Sequence, residues 1–177
     1  VKQAIISLVL VITTVTFINA QTTANLKIGF VDSEIILTQY SEAIKAQGDL
    51  DAITNKWSSQ IDSMTLAYQK SLDDYQKQAN TMPDDKKTAA QQSLIQMEQN
   101  ILDFRRQKFQ QPNGEIFKKQ EEIFAPVKAK IYAAIEKVAK DEGMQFIFDK
   151  SGDIILLYAD SAFDITFKVL DKLKRGN

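Results

Sequence analysis

The stretch LDAITNKWSSQIDSMTLAYQKSLDDYQKQANTMPDD (Leu50–Asp85) carries its apolar residues in three triplets: Leu50-Ile53-Trp57, Ile61-Met64-Tyr68 and Leu72-Tyr75-Ala79. Each triplet repeats its predecessor eleven residues on. An eleven-residue repeat is about 3.67 residues per turn, so the stripe runs nearly straight along one helix face. Thr81-Met82-Pro83-Asp84-Asp85 follows, with a capping residue, a proline suited to a first turn and acids for a new N-terminus. Beyond it Ala90, Leu94, Met97, Ile101 and Phe104 step 4-3-4-3, the heptad spacing of a coiled coil. The pattern predicts a helical hairpin that descends through 42–80, turns near 80–84 and returns from 84. At 1.5 Å per residue the descending helix is about 58 Å long. Pro112-Asn113-Gly114 should break the return helix and act as a hinge, and Ala125-Pro126 should bend or restart it. Alanine at both 112 and 114 should then extend the helix.

The arm lies between two apolar ends. Leu26–Asp32 (LKIGFVD) reads as a strand, and Met144–Asp149 (MQFIFD) and Ile154–Ala159 (IILLYA) read as two more, joined through Lys150-Ser151-Gly152-Asp153 as a β-hairpin. Asp164–Lys174 places Ile165, Val169, Leu170 and Leu173 on one helical face, with Ser161 or Asp164 available as N-cap. The fold class is α+β: a small β-sheet body, a long helical-hairpin arm and a short C-terminal helix. The expected divisions are a signal peptide at 1–20, the first strand and a short helix at 21–41, the arm at 42–125, and a base helix, hairpin and C-terminal helix at 126–177.

Strands that are apolar almost throughout call for cover on both faces, and a three-stranded sheet has two open edges. One short helix cannot supply that cover, so burial alone predicts association of the body with copies of itself. The candidates for the shared core are Ile28, Phe30, Phe146, Phe148, Ile155 and Leu157. The arm stripe has three readings: an intramolecular seam, an adaptable surface for client proteins, or a bundle of arms from several chains. Met64, Tyr68, Leu72, Tyr75, Met82, Met97, Ile101 and Phe109 are the client-binding candidates, because methionine and aromatic side chains suit adaptable contacts.

Composition excludes much else. The 177 residues include no Cys and no His, which removes disulfides, zinc-type sites and the commonest catalytic base and nucleophile. The six glycines are isolated, so no phosphate-cradling loop can be written, and no cofactor is expected. Asp149, Asp153, Asp160 and Asp164 are the only foothold for metal chemistry, and they suit turns and caps. With 22 basic and 23 acidic side chains there is no concentrated basic face for nucleic acid, and membrane-surface contact is not indicated. Lys2 followed by an uncharged run from Ala4 to Ile18 and then Ala20 reads as a cleaved secretory signal, and an export signal on a chain without cysteine points to an envelope compartment of a bacterium.

The blocks Lys27-Ile28-Gly29-Phe30-Val31-Asp32, Phe124-Ala125-Pro126-Val127, Phe146-Ile147-Phe148-Asp149, Leu156-Leu157-Tyr158-Ala159 and Asp164-Ile165-Thr166 resemble the Skp/OmpH family of periplasmic chaperones. The resemblance is strong in the terminal blocks and compositional in the arm. It implies a homotrimer with a β body and three helical arms around a cavity that holds unfolded outer-membrane proteins without ATP. A structural coiled-coil spacer of the cell envelope is the alternative. The best-known members are strongly basic. Here residues 26–104 carry 7 basic and 12 acidic side chains, 105–142 carry 9 and 6, and 143–177 carry 5 and 5. The asymmetry fits charge complementarity between antiparallel helices.

Overall fold

A computed structural model describes residues 26–152 and 156–176. The expected signal peptide therefore lies outside the described residues, as does Ile155. The chain opens with strand β1 (Ile28–Val31) and helix α1 (Ser33–Gln39), which Asp32 caps by accepting the Ile35 N–H at 3.0 Å. Tyr40 is a one-residue extended joint to α2 (Ser41–Gln78), whose 38 residues span about 57 Å. Helix α3 (Asp84–Phe109) returns beside it. Helix α4 (Glu115–Asp141) then re-enters the body and leads to strand β2 (Phe146–Asp149). A 3-10 turn (Ser161–Phe163) precedes the last helix, α5 (Thr166–Arg175).

The two strands pair in parallel, with Ile28 opposite Phe146 and Val31 opposite Asp149. Parallel partners need a crossover, and the whole helical arm with α4 provides it. Gly143, at φ 66°, turns the chain out of α4 in a left-handed conformation that costs glycine little. The Met144 N–H then bonds back to the Ala139 carbonyl at 2.8 Å.

The core of the body forms where α1, the head of α2, α4 and α5 meet the sheet. Ile36, Ile165, Val169 and Leu170 are the most deeply enclosed, packed with Tyr40, Ala43, Ile131 and Val138. Thr166 is buried and accepts the Asp32 N–H at 2.9 Å, which ties α5 to the cap of α1. The C-terminal helix thus buries the face that its spacing prescribes.

Four expectations need correction. First, among the described residues β2 does not form a hairpin with the segment that follows it. Its partner is β1, and Leu156–Ala159 carry no strand. Asp149 redirects the chain after β2: its Oδ1 accepts the N–H groups of Ser33 and Ser151, both at 3.1 Å, and the Ser151 hydroxyl at 2.8 Å. Burial raises the Asp149 pKa, but these hydrogen bonds outweigh it and hold the carboxyl below its ordinary value. The other edge of β1 is met by the Asp164–Ile165 segment, whose Ile165 N–H bonds to the Phe30 carbonyl at 3.0 Å.

Second, of the bend or restart expected at Pro126, the restart does not occur, since the proline lies inside one continuous helix. Val127, Ile131, Ala134 and Val138 after the proline, and Ile123 and Phe124 before it, pack into the same core. Burial of several such side chains, at about 1.5–3 kcal/mol for each large one, exceeds the roughly 3 kcal/mol that an interior proline costs. Third, Thr81 does not cap the return helix; its hydroxyl bonds to the Gln78 carbonyl at 3.1 Å and closes the helix before it. Fourth, neither Ser161 nor Asp164 is the N-cap of α5. That position is Ile165, although Asp164 still accepts the Thr166 N–H at 2.9 Å.

Candidate functional site

Along the arm α2 and α3 run antiparallel in a register centred on Pro83. Gln91 Nε2 donates to the Tyr75 hydroxyl at 2.8 Å, and these residues stand eight places after and before the proline. Trp57 and Phe109, 26 places before and after it, meet edge to face at 5.9 Å. The expected stripes face each other across this seam. Leu50, Ile61 and Leu94 are buried, and Ile53, Trp57, Ala90 and Phe104 are half-buried. Met64, Tyr68, Leu72, Tyr75, Met82, Met97, Ile101 and Phe109 are half-buried too. The client-binding candidates on α2 and α3 are thus partly covered by the hairpin itself, and Met82 lies in the turn between the two helices.

Other side chains stay uncovered. Leu66 is 69% exposed on α2, and Ile95 and Leu102 are 60% and 42% exposed on α3. Ile95 and Leu102 are seven residues apart and share a helix face. By the register about Pro83, the three fall in one band of the arm. They sit outside the stripes, so periodicity passed over them. Their only signal was an aliphatic side chain in a position where the pattern asked for a polar one.

The break between α3 and α4 is a packed joint. Pro112 and Asn113 are exposed, whereas Gly114 is buried and its N–H bonds to the Gln110 carbonyl at 2.6 Å. A Cβ on Gly114 would stand 2.8–2.9 Å from the backbone of Lys108, Phe109 and Gln110. Alanine at 114 therefore meets backbone before it can lengthen the helix. The Lys108 ammonium closes the joint: it contacts Glu115 Oε2 at 2.5 Å and lies 5.0 Å from the Trp57 ring centroid and 5.4 Å from that of Phe104. The Lys108 side chain is 14% exposed. Glu115→Gln removes the charge partner of this enclosed ammonium and should cost about 1–3 kcal/mol. Urea unfolding of the variant measures the loss; an unchanged midpoint would mean that the ion pair does not hold the joint.

The body has an uncovered apolar surface of its own. Of the shared-core candidates, Phe30 is buried within the chain and Phe148 is half-buried. Ile28, Phe146 (55%) and Leu157 (94%) are exposed. A hollow of about 210 Å³ lies among Ile28, Phe30, Phe148, Tyr158 and Phe163. A second groove, of about 480 Å³, separates Phe148 and Ile147 from Leu37, Phe124, Tyr132 and Ile135. Phe148 lines both. No described helix is long and apolar enough to cross a membrane, and among the described residues no group of acidic side chains is placed to hold a metal ion.

Residues 27–173 match the family model described as "Outer membrane protein (OmpH-like)". The fold is similar to the crystal structure of an OmpH-like protein of Caulobacter crescentus, named there as a candidate outer membrane chaperone. The TM-score is 0.71 at 14% sequence identity, over 91% of each chain. No curated protein matches the sequence.

Proposed function

Since the chain belongs to the OmpH-like outer membrane protein family, we propose that it is an ATP-independent periplasmic holdase that keeps unfolded outer-membrane proteins from aggregating. The observation that carries this reading is the band of Leu66, Ile95 and Leu102, left bare on an arm whose own stripes are already paired. Singly exposed aliphatic side chains are ordinary on a spacer's surface, so the point that favours the holdase is that three of them fall in one band of the arm. A holdase needs contacts that are apolar, individually weak and spread over a surface, and a closed hairpin with scattered bare aliphatics supplies them.

The body supports a homotrimer. Phe146, Leu157, Tyr158 and Phe167 are more than half exposed in one protomer, and among the described residues β2 pairs with β1 alone. Copies of the chain closing over these residues would cover both, and three arms would then surround a common space for the client.

The test is a variant with Leu66, Ile95 and Leu102 each changed to Ser. The fold should be unaffected, because none of the three is enclosed. Affinity for an unfolded outer-membrane β-barrel diluted from urea should fall about tenfold, since a loss of about 1.4 kcal/mol is less than the full burial of one leucine. Light scattering of the client reports the loss. Unchanged protection would remove the band from the client site and return the spacer to first place.

A further inference from the structure

Asn113 is the one asparagine in the sequence that is followed by a glycine. Such a pair carries its own chemistry. The backbone nitrogen after the asparagine attacks the side-chain amide carbon and closes a cyclic imide, and glycine admits the backbone rotation that closure needs. The pair lies in the joint between α3 and α4, with its two residues in opposite surroundings. Asn113 is exposed, so water reaches its amide. Gly114 is buried, and its N–H donates to the Gln110 carbonyl at 2.6 Å.

A nitrogen that attacks must first give up that bond and its proton. The closed joint therefore blocks the reaction, and local opening admits it. Lys108 holds the joint closed through its contact with Glu115 and its packing on Trp57 and Phe104. The two products of the reaction differ in what the joint can hold. Aspartate keeps the main chain and adds a charge to an exposed side chain just before α4, where a negative charge suits the helix dipole. Isoaspartate lengthens the main chain by a methylene directly before Gly114. The joint has no slack for it: a carbon on Gly114 would already stand 2.8–2.9 Å from the backbone of Lys108, Phe109 and Gln110.

We propose that Asn113-Gly114 is a self-modification site gated by this joint, and that its isoaspartyl product keeps the joint open. When the joint opens, the Gly114 nitrogen bonds to the Asn113 side-chain carbon. The bond from that carbon to the amide nitrogen breaks, and ammonia leaves with the proton that the Gly114 nitrogen gave up to solvent. Water then opens the imide. Addition at the side-chain carbonyl leaves aspartate, and addition at the backbone carbonyl leaves isoaspartate. Nothing is oxidised or reduced, and water is the only co-reactant. The lengthened chain cannot return the Gly114 N–H to Gln110, so each isoaspartyl chain carries an arm released from its joint. The proposal stands apart from the holdase reading.

The test ages the full chain at neutral pH, in native buffer and in urea. Peptide mass spectrometry follows position 113, with the aspartyl and isoaspartyl peptides separated by chromatography. Conversion in urea should exceed that in native buffer by about tenfold or more, since only the opened joint reacts. Glu115→Gln should raise the native rate about tenfold and leave the urea rate unchanged, because the rate follows the population of the open form. Hydrogen exchange at the Gly114 amide then compares the aged fractions. The isoaspartyl chains should lose protection, and Asn113→Asp should keep it. Equal conversion of the wild type in the two solvents, or none in urea, overturns the gating whether or not the Glu115 variant folds. A folded Glu115→Gln that converts at the wild-type native rate also overturns it. An isoaspartyl chain with wild-type protection at Gly114 overturns the release.

Discussion

Replacing Thr65–Ile101 with a short glycine-serine turn is expected to abolish protection of an unfolded β-barrel client while the body assembles as before. The register about Pro83 makes the cut symmetrical, since Thr65 and Ile101 are both 18 residues from the tip and the shortened helices end level. The cut removes Leu66 and Ile95 and most of the arm wall. It keeps the joint of Trp57, Phe104, Lys108 and Glu115, so α4 still enters the body at its native angle. Light scattering of the client should match the buffer control. Sedimentation should give the same assembly state, corrected for mass. Protection equal to that of the full-length protein would place the client site in the body instead.

Phe148→Asp should produce monomers or aggregates in place of the proposed trimer. The ring stands between the hollow beside Ile28 and Tyr158 and the groove beside Phe124 and Tyr132, so cover from a second copy on either side encloses it. An aspartate there would be an unpaired charge in an apolar contact. At about 4 kcal/mol this weakens association roughly a thousandfold. Phe148→Leu keeps the apolar surface and should keep the assembly. A stable trimer of the aspartate variant in sedimentation would show that this surface is not the interface.

What could be read from the sequence depended on how far apart the interacting residues lie. The hairpin was legible because its stripes, its turn at Pro83 and the break before Gly114 are all local signals, and helical periodicity states which face is apolar. The face of α5 was legible for the same reason. The pairing of β2 was not. A four-residue apolar strand carries no register and no direction, so the sequence points to the nearest apolar run, 154–159, and gives no sign of β1, more than a hundred residues away. Pro126 was weighed by its local penalty, whereas its helix is held by the core on both sides. Periodicity finds the residues that satisfy one another, and the client surface proposed here consists of those left over, such as Leu66. A lone exposed leucine resembles ordinary surface, so only the seam geometry could single it out.

The pairing of β1 with β2 also sets an order of folding. Helices α2 and α3 touch through neighbours in the chain, and their hairpin can zip up from Pro83 with little loop entropy to overcome. Ile28 must wait for Phe146, and the underside of β1 waits longer still, for Ile165. A chain emerging from its N-terminus therefore completes its arm while its first strand is still single, and the body closes only when the final helix arrives. Until then the apolar residues of β1 have neither of the neighbours that cover them in the finished body.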